Sequence, residues 1–206
     1  MKLFKFLLFT SLLLTCSQVS LASVTILEQQ SVWNYNVTPT NFGQNGLASV
    51  DYAGFQSEYV GNLVGQAAFG NATVPGFPPN TAWTVGTDLA LQQIVNIGGT
   101  VNGDVTLNLA VDNGAKVFVN GTEVFFADAG GFTSIWEYSQ SVAGNLFLVG
   151  MNEISVLTSD YGGLTYFDME LVAADGITPI PVPAAAWLFG SALLGLVGYS
   201  RKKSTA

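Results

Sequence analysis

Few residues in this sequence can do chemistry, and almost all of those carry one sign. Fourteen Asp and Glu stand against six Lys and Arg, there is no His, and the single cysteine is Cys16. Without His, neither a His-based triad nor a His-ligated metal can be assembled. Nucleophilic catalysis is equally short of parts. Cys16 falls in an N-terminal leader, and Lys116 lies inside a run that reads as a strand. Carboxylate chemistry remains. Glycoside hydrolysis takes two carboxyls facing one cleft, one of them raised in pKa. Asp112, Asp128, Glu137, Asp160 and Asp168 are the nominal candidates. Asp112, however, opens the turn signal Asp112-Asn113-Gly114, where its side chain caps its own backbone. No catalytic residue is assigned, and the expectation is a protein that binds and does not catalyse. Trp83, Trp136, Tyr138 and Tyr161 lie in or beside expected loops, near Asp112, Asn113, Glu137 and Asp160. Aromatic rings bordered by amides and carboxylates suit a sugar. Alternation through Ile135-Trp136-Glu137-Tyr138 places Trp136 and Tyr138 on one face. The candidate glycan contacts are therefore Trp136, Tyr138, Tyr161, Asp112 and Asn113. The competing reading is that these large rings fill a core.

The charge map sets the partners. Every acid lies between Glu28 and Asp175, and five of the six bases lie near the ends: Lys2, Lys5, Arg201, Lys202 and Lys203. In between, fourteen acids face Lys116 alone, a net charge of −13. Such a field repels nucleic acid, so no nucleic-acid partner is expected. Acidity of this kind keeps a secreted domain soluble. Acidic clusters collecting a structural Ca²⁺ are the sharper alternative, though the acids show no dense ligand spacing.

Two terminal segments bracket the acidic region. Lys2 and Lys5 precede an apolar run over residues 6–14, and Ser20-Leu21-Ala22 offers small residues at the positions a signal peptidase reads. Cleavage after Ala22 is expected, which leaves a mature chain without cysteine. A lipoprotein reading of Leu13-Leu14-Thr15-Cys16, with Cys16 lipidated, competes with it. At the other end, Ile180-Pro181-Val182-Pro183 leads into an uncharged stretch over residues 184–199, closed by Arg201-Lys202-Lys203. As a helix, those sixteen residues span about 24 Å. That just crosses the hydrocarbon with help from its flanks, with the basic cluster on the cytoplasmic side.

The elements between the two ends read as strands. Val105, Leu107, Leu109 and Val111 alternate with Thr106 and Asn108, the period of a half-buried strand. Lys116-Val117-Phe118-Val119 and Thr122-Glu123-Val124-Phe125-Phe126 flank Asn120-Gly121, a strong hairpin cue because both residues tolerate positive φ. Gly150-Met151-Asn152-Glu153 turns into Ile154-Ser155-Val156-Leu157. After Gly162-Gly163, alternation returns over residues 164–172, with Phe167, Met169 and Leu171 on one face. Short strands, frequent Gly turns and no long amphipathic helix predict an all-β fold: an antiparallel, jelly-roll-like β-sandwich over residues 23–174. It is flanked by the signal helix (1–22), a linker (175–183) and a C-terminal transmembrane helix with a basic tail (184–206). Strands within residues 44–71 are not placed, and Val74-Pro75-Gly76-Phe77-Pro78-Pro79-Asn80 reads as a loop.

Two resemblances extend this. Pro181, Pro183, Trp187-Leu188-Phe189-Gly190-Ser191, Leu193-Leu194-Gly195-Leu196 and Arg201, Lys202 and Lys203 resemble the PEP-CTERM sorting signal of exopolysaccharide-producing Gram-negative bacteria, in its Val-Pro-x-Pro-Ala form. Val182 stands where the commonest form has Glu. The resemblance implies recognition by an exosortase, a membrane-embedded cysteine-type transpeptidase. It also implies a domain held at the inner membrane and passed to the cell surface or extracellular matrix, where exopolysaccharide is a potential partner. An ordinary C-terminal anchor is the plainer reading. Separately, residues 107–121 with Gly150-Met151-Asn152-Glu153-Ile154 are similar to the galactose-binding-domain-like jelly rolls that accompany many glycosidases. That similarity implies a fold, and a structural Ca²⁺, more than a ligand. Three functional expectations follow: a carbohydrate-binding module, a structural matrix protein without a discrete ligand, and, remotely, a glycan-active hydrolase.

Overall fold

The computed structural model describes residues 22–38, 42–43, 46–59, 65–70, 82–128 and 136–179. Cys16 and the sorting-signal residues Pro181, Pro183, Trp187, Gly190, Arg201, Lys202 and Lys203 lie outside the described residues, as do both flanking helices. Ala22 is the first residue described and is exposed.

Twelve strands and one α-helix make up the described fold: β1 Val24–Leu27, β2 Trp33–Val37, α1 Tyr52–Tyr59, β3 Gly65–Ala67, β4 Leu89–Ile97, β5 Gly99–Val101, β6 Val105–Asp112, β7 Gly114–Val119, β8 Thr122–Ala127, β9 Tyr138–Val142, β10 Gly150–Ser159, β11 Tyr166–Ala173 and β12 Ile177–Pro179. They form a four-stranded sheet ordered β1-β11-β6-β9, a six-stranded sheet ordered β3-β2-β4-β10-β7-β8, and a small β12-β5 pair. All the described pairings are antiparallel. The chain passes repeatedly between the two main sheets, as in a jelly roll. The predicted all-β sandwich is what the chain forms.

The core follows from the alternation. Val105, Leu107, Leu109 and Val111 of β6 and Phe167, Met169, Leu171 and Ala173 of β11 face inward from one sheet. Leu89 and Leu91 of β4, Val117 and Val119 of β7, and Ile154 and Val156 of β10 meet them from the other. Full burial of such side chains contributes roughly 1.5–3 kcal/mol each, so this cluster dominates stability. The Asn120-Gly121 cue forms its hairpin between β7 and β8, with φ of 49° and 81°. Asp112-Asn113-Gly114 does something else. It carries the chain from the end of β6 in one sheet to the start of β7 in the other, through a cis Asp112–Asn113 peptide.

Strand β7 is buried on both faces. Its outer face is covered by a single 3₁₀ turn, Leu47–Ser49, and by α1, which together pack Leu47, Val50 and Phe55 onto Phe118, Ala90 and Leu157. Lys116 anchors this cover. Its ammonium donates to the carbonyl oxygens of Val50 (2.8 Å) and Ala48 (3.0 Å) and pairs with Glu123 (3.2 Å). The Tyr52 phenol donates to Glu153, and burial together with that carboxylate pushes the phenol up to about 12. Part of the expected 175–183 linker also folds back: Ile177 pairs with Val101 and Pro179 with Gly99. No helix among the described residues is long and apolar enough to cross a membrane.

Candidate functional site

Six strand ends gather chemistry-bearing residues at one rim of the sandwich. Asp112 ends β6 opposite Tyr166, the first residue of β11. Gly114 opens β7 opposite Ser159, the last residue of β10, and Asp128 follows β8 beside it. Trp136 and Glu137 arrive just before β9, whose Tyr138 pairs with Leu109. Asp112, Asn113, Trp136 and Tyr161 are therefore brought to one region, although they are separated by up to 49 positions in the chain.

Three carboxylates here, Asp88, Asp160 and Asp168, are engaged in holding the backbone. Asp160 is buried and accepts hydrogen bonds from the N–H groups of Gly86 and Gly162, the latter at 3.1 Å. Its own N–H donates to Asp88 Oδ1 at 3.0 Å. Asp88 also accepts from Phe42 N–H; its burial pushes the carboxyl up, against the lowering effect of those two bonds. Asp168 accepts from Gln30 N–H (2.8 Å) and Met169 N–H (2.9 Å). Such bonds satisfy donors that would otherwise be buried without partners. Asn113 serves the same end. Its N–H donates to Ser159 O (3.1 Å) and its Oδ1 accepts from Tyr161 N–H (2.7 Å), fixing the loop that presents Tyr161. Asp112 and Asn113 are both buried.

The aromatics divide. Trp136 has φ of 49°, which breaks the strand alternation. It therefore does not share a face with Tyr138. Trp136, partly exposed, packs against Ala110 and Tyr166 on the outer face of the four-stranded sheet. Tyr138 turns toward the core, edge-on to Phe125 at 5.2 Å. Trp83, read as a loop aromatic, is a core residue. It is buried, its Nε1–H donates to Thr87 O at 2.8 Å, and its ring meets Phe69 at 5.9 Å. Tyr161 lies over Gly114, where a methyl group would fall 2.9 Å from the phenol oxygen and 3.1 Å from Asp128 Oδ1. That phenol oxygen is buried without a hydrogen-bond partner.

Glu137 is a rim carboxyl whose chemistry is altered. One of its carboxylate oxygens is buried without a hydrogen-bond partner. Burial first, and the charge of Asp112 second, push its carboxyl up to about 7. Tyr138 is pushed up as well, by burial and by Glu137. Tyr166 is a rim residue that sequence reasoning does not single out, and Glu137, named there as a nominal carboxylate, is not among the expected glycan contacts. Tyr166 precedes the legible Phe167-Met169-Leu171 phase, and nothing local marks it as the support beneath Trp136.

The rim is acidic throughout. Asp88, Asp112, Asp128, Glu137, Asp160 and Asp168 lie at or near it, and Lys116, the single base among the described residues, is engaged with the helical cover. The structural Ca²⁺ implied by the jelly-roll resemblance does not fit. Among the described residues, no three acids converge to hold an ion, and Asp88, Asp160 and Asp168 are committed to N–H groups.

The sequence matches no known protein family, and no curated protein matches it. Solved structures similar to it include the beta-glucuronidase of an uncultured Clostridium species, at TM-score 0.48 and 12% identity, covering 74% of this chain and 29% of that one. The Faecalibacterium prausnitzii beta-glucuronidase superposes at 0.43 and 13% identity, over 74% and 32% of the two chains. A glycosyl hydrolase family 2 member from Bacteroides cellulosilyticus does so at 0.42 and 14%, over 74% and 21%. The chain thus spans between 21% and 32% of the length of these proteins.

Proposed function

We propose that this chain is an exported cell-surface or matrix protein whose sandwich holds carbohydrate at the acidic rim. In this reading the leader is removed after Ala22. Residues 184–199 then hold the domain at the inner membrane until an exosortase-type enzyme acts on the tail. The observation that carries the binding claim is the placement of Trp136. A partly exposed indole rests on Tyr166 at the sheet surface, beside the half-buried Glu137. Such an arrangement offers a sugar an apolar face and hydrogen-bond acceptors together. Because acids surround it and the single base among the described residues, Lys116, is engaged with the helical cover, neutral or amine-bearing sugars suit it and uronic acids are repelled. The domain acts as a binder and not an enzyme, since three of the six rim carboxylates, Asp88, Asp160 and Asp168, serve backbone donors. Affinity electrophoresis of the full chain through gels carrying neutral, amino-sugar or uronate polysaccharide tests this. Retardation in the first two supports the reading. No retardation in any, with self-association instead, supports a structural matrix protein.

One observation favours a second reading. Glu137, raised to about 7 by burial and the charge of Asp112, has the raised carboxyl that glycoside hydrolysis needs of its acid. Release of reducing ends from neutral oligosaccharides, abolished by Glu137→Gln, would establish it, and the absence of release retains the binding reading.

A further inference from the structure

The described residues finish at the end of the sandwich opposite the acidic rim. Pro179 is the last described residue, and it pairs with Gly99 of β5. Beside β5 lies an open groove of about 630 Å³, lined among others by Thr100, Val101, Asp104, Phe147, Leu148 and Val149. Leu148 and Val149 are 57% and 47% exposed, and Met151, two positions on, is 69% exposed. Scattered apolar surface residues are ordinary, but three within four positions, two of them lining a groove, are not.

This loop is held with its apolar side chains outward. The buried Asn152 side chain accepts from Leu148 N–H (2.7 Å) and donates to Leu148 O (2.7 Å) and Gly150 O (2.9 Å). Asn120 Nδ2 donates to Leu146 O and to Asn152 Oδ1, each at 2.8 Å. Gly150 takes φ of 99°, which a side chain would strain. Inward collapse of Leu148 and Val149 would therefore break this set of bonds.

The sequence supplies the occupant. Four residues separate Pro179 from the uncharged run over 184–199. At no more than about 3.6 Å per residue, that run begins within roughly 18 Å of Pro179. Whatever receives it lies against this end of the domain. We propose that Leu148, Val149 and Met151 enter the interface of the bilayer through which residues 184–199 pass, so that the domain stands on the lipid surface by this loop. The proposal rests on the membrane-anchor reading given above. Asp104 at the groove and Asp175 beside Gly103 select zwitterionic over anionic headgroups. The consequence is orientation: the Trp136 rim faces away from the membrane, toward extracellular polysaccharide.

The test uses the full chain with Cys16→Ser, reconstituted in phosphatidylcholine vesicles and spin-labelled at V149C or, on the opposite end, at V85C. Flotation with the vesicles reports the anchor. Collisions of the label with oxygen and with a water-soluble nickel chelate report its surroundings. The expected result is flotation, with the label at 149 losing nickel accessibility and gaining oxygen accessibility while the label at 85 stays aqueous. Adding Leu148→Asp and Met151→Asp should return the label at 149 to water without loss of flotation. Flotation with an aqueous label at 149 overturns the contact and leaves the anchor standing. A label at 149 shielded from both reagents means that the chain's own tail or a second copy fills the groove, which also overturns it. Failure to float refutes the anchor and the contact together.

Discussion

Glu137 lies near enough to Asp112 that their charges disfavour one another, and with its burial this holds the Glu137 carboxyl up at about 7, against an ordinary 4.5. The folded state therefore keeps a proton that the unfolded chain has already released. Stability contributed by this proton is full below pH 4.5 and is lost as pH rises toward about 7. Glu137→Gln removes the titration. Thermal melts should show the variant gaining on the parent from mildly acidic to mildly alkaline pH. A difference that stays constant across that range would contradict the placement of Glu137.

Lys116 is predicted to be the fastening of the helical cover. Replacing it with Met leaves the Ala48 and Val50 carbonyls without their donor and Glu123 without its partner. The loss should be about 3 kcal/mol. Urea unfolding measures it, and a loss below about 1 kcal/mol would mean that Phe118 packing alone holds the cover.

Asn152 gives a sharper chemical test. It is buried, and its amide uses both donors and its acceptor. Asn152→Asp keeps shape and acceptors but removes the donors to Leu148 O and Gly150 O and buries a charge. It should cost about as much as Asn152→Ala, on the order of 2–3 kcal/mol. Denaturant melts that find Asn152→Asp indistinguishable from the parent would refute this accounting.

Phe118 should show that the outer cluster is a second core. It packs with Phe55 and Tyr52, ring centroids 6.0 and 5.6 Å away, as well as with Leu157. Phe118→Ala is expected to cost about 3–5 kcal/mol, a full core truncation, although it lies on the outer face of its sheet. A cost under about 1 kcal/mol by calorimetry would mean that the cover is not packed in solution.

What was legible in the sequence was local. The β6 alternation and the Asn120-Gly121 hairpin each state their geometry within a few residues, and each forms, whereas Gly150-Met151-Asn152-Glu153, read as a turn, is the first stretch of β10. The cover was not legible. Gly54 sits in the middle of α1, and what holds that helix is contact with Phe118 and Leu157, 59 or more positions later. Tertiary packing outweighs propensity there. At the rim, the clustering of Asp112, Asn113, Trp136 and Tyr161 follows from the strand ends, which sequence places only to within a few residues: β7 begins at Gly114 and not Lys116, and β9 at Tyr138. The direction of Trp136 does not follow from them, because a single residue at positive φ reverses the face that alternation assigns. Likewise, nothing near Asp168 announces that its partner is the backbone of Gln30, 138 positions away.

Binding at the Trp136 surface is tested most directly by affinity electrophoresis of the full chain beside Trp136→Ala, with Val85→Ser as a control at an exposed position of the same end. The parent and the control should be retarded by a neutral or amino-sugar polysaccharide, and Trp136→Ala should bind about tenfold more weakly, the loss of one aromatic contact. Equal retardation of all three would place any ligand elsewhere, and no retardation of the parent would remove the carbohydrate-binding account.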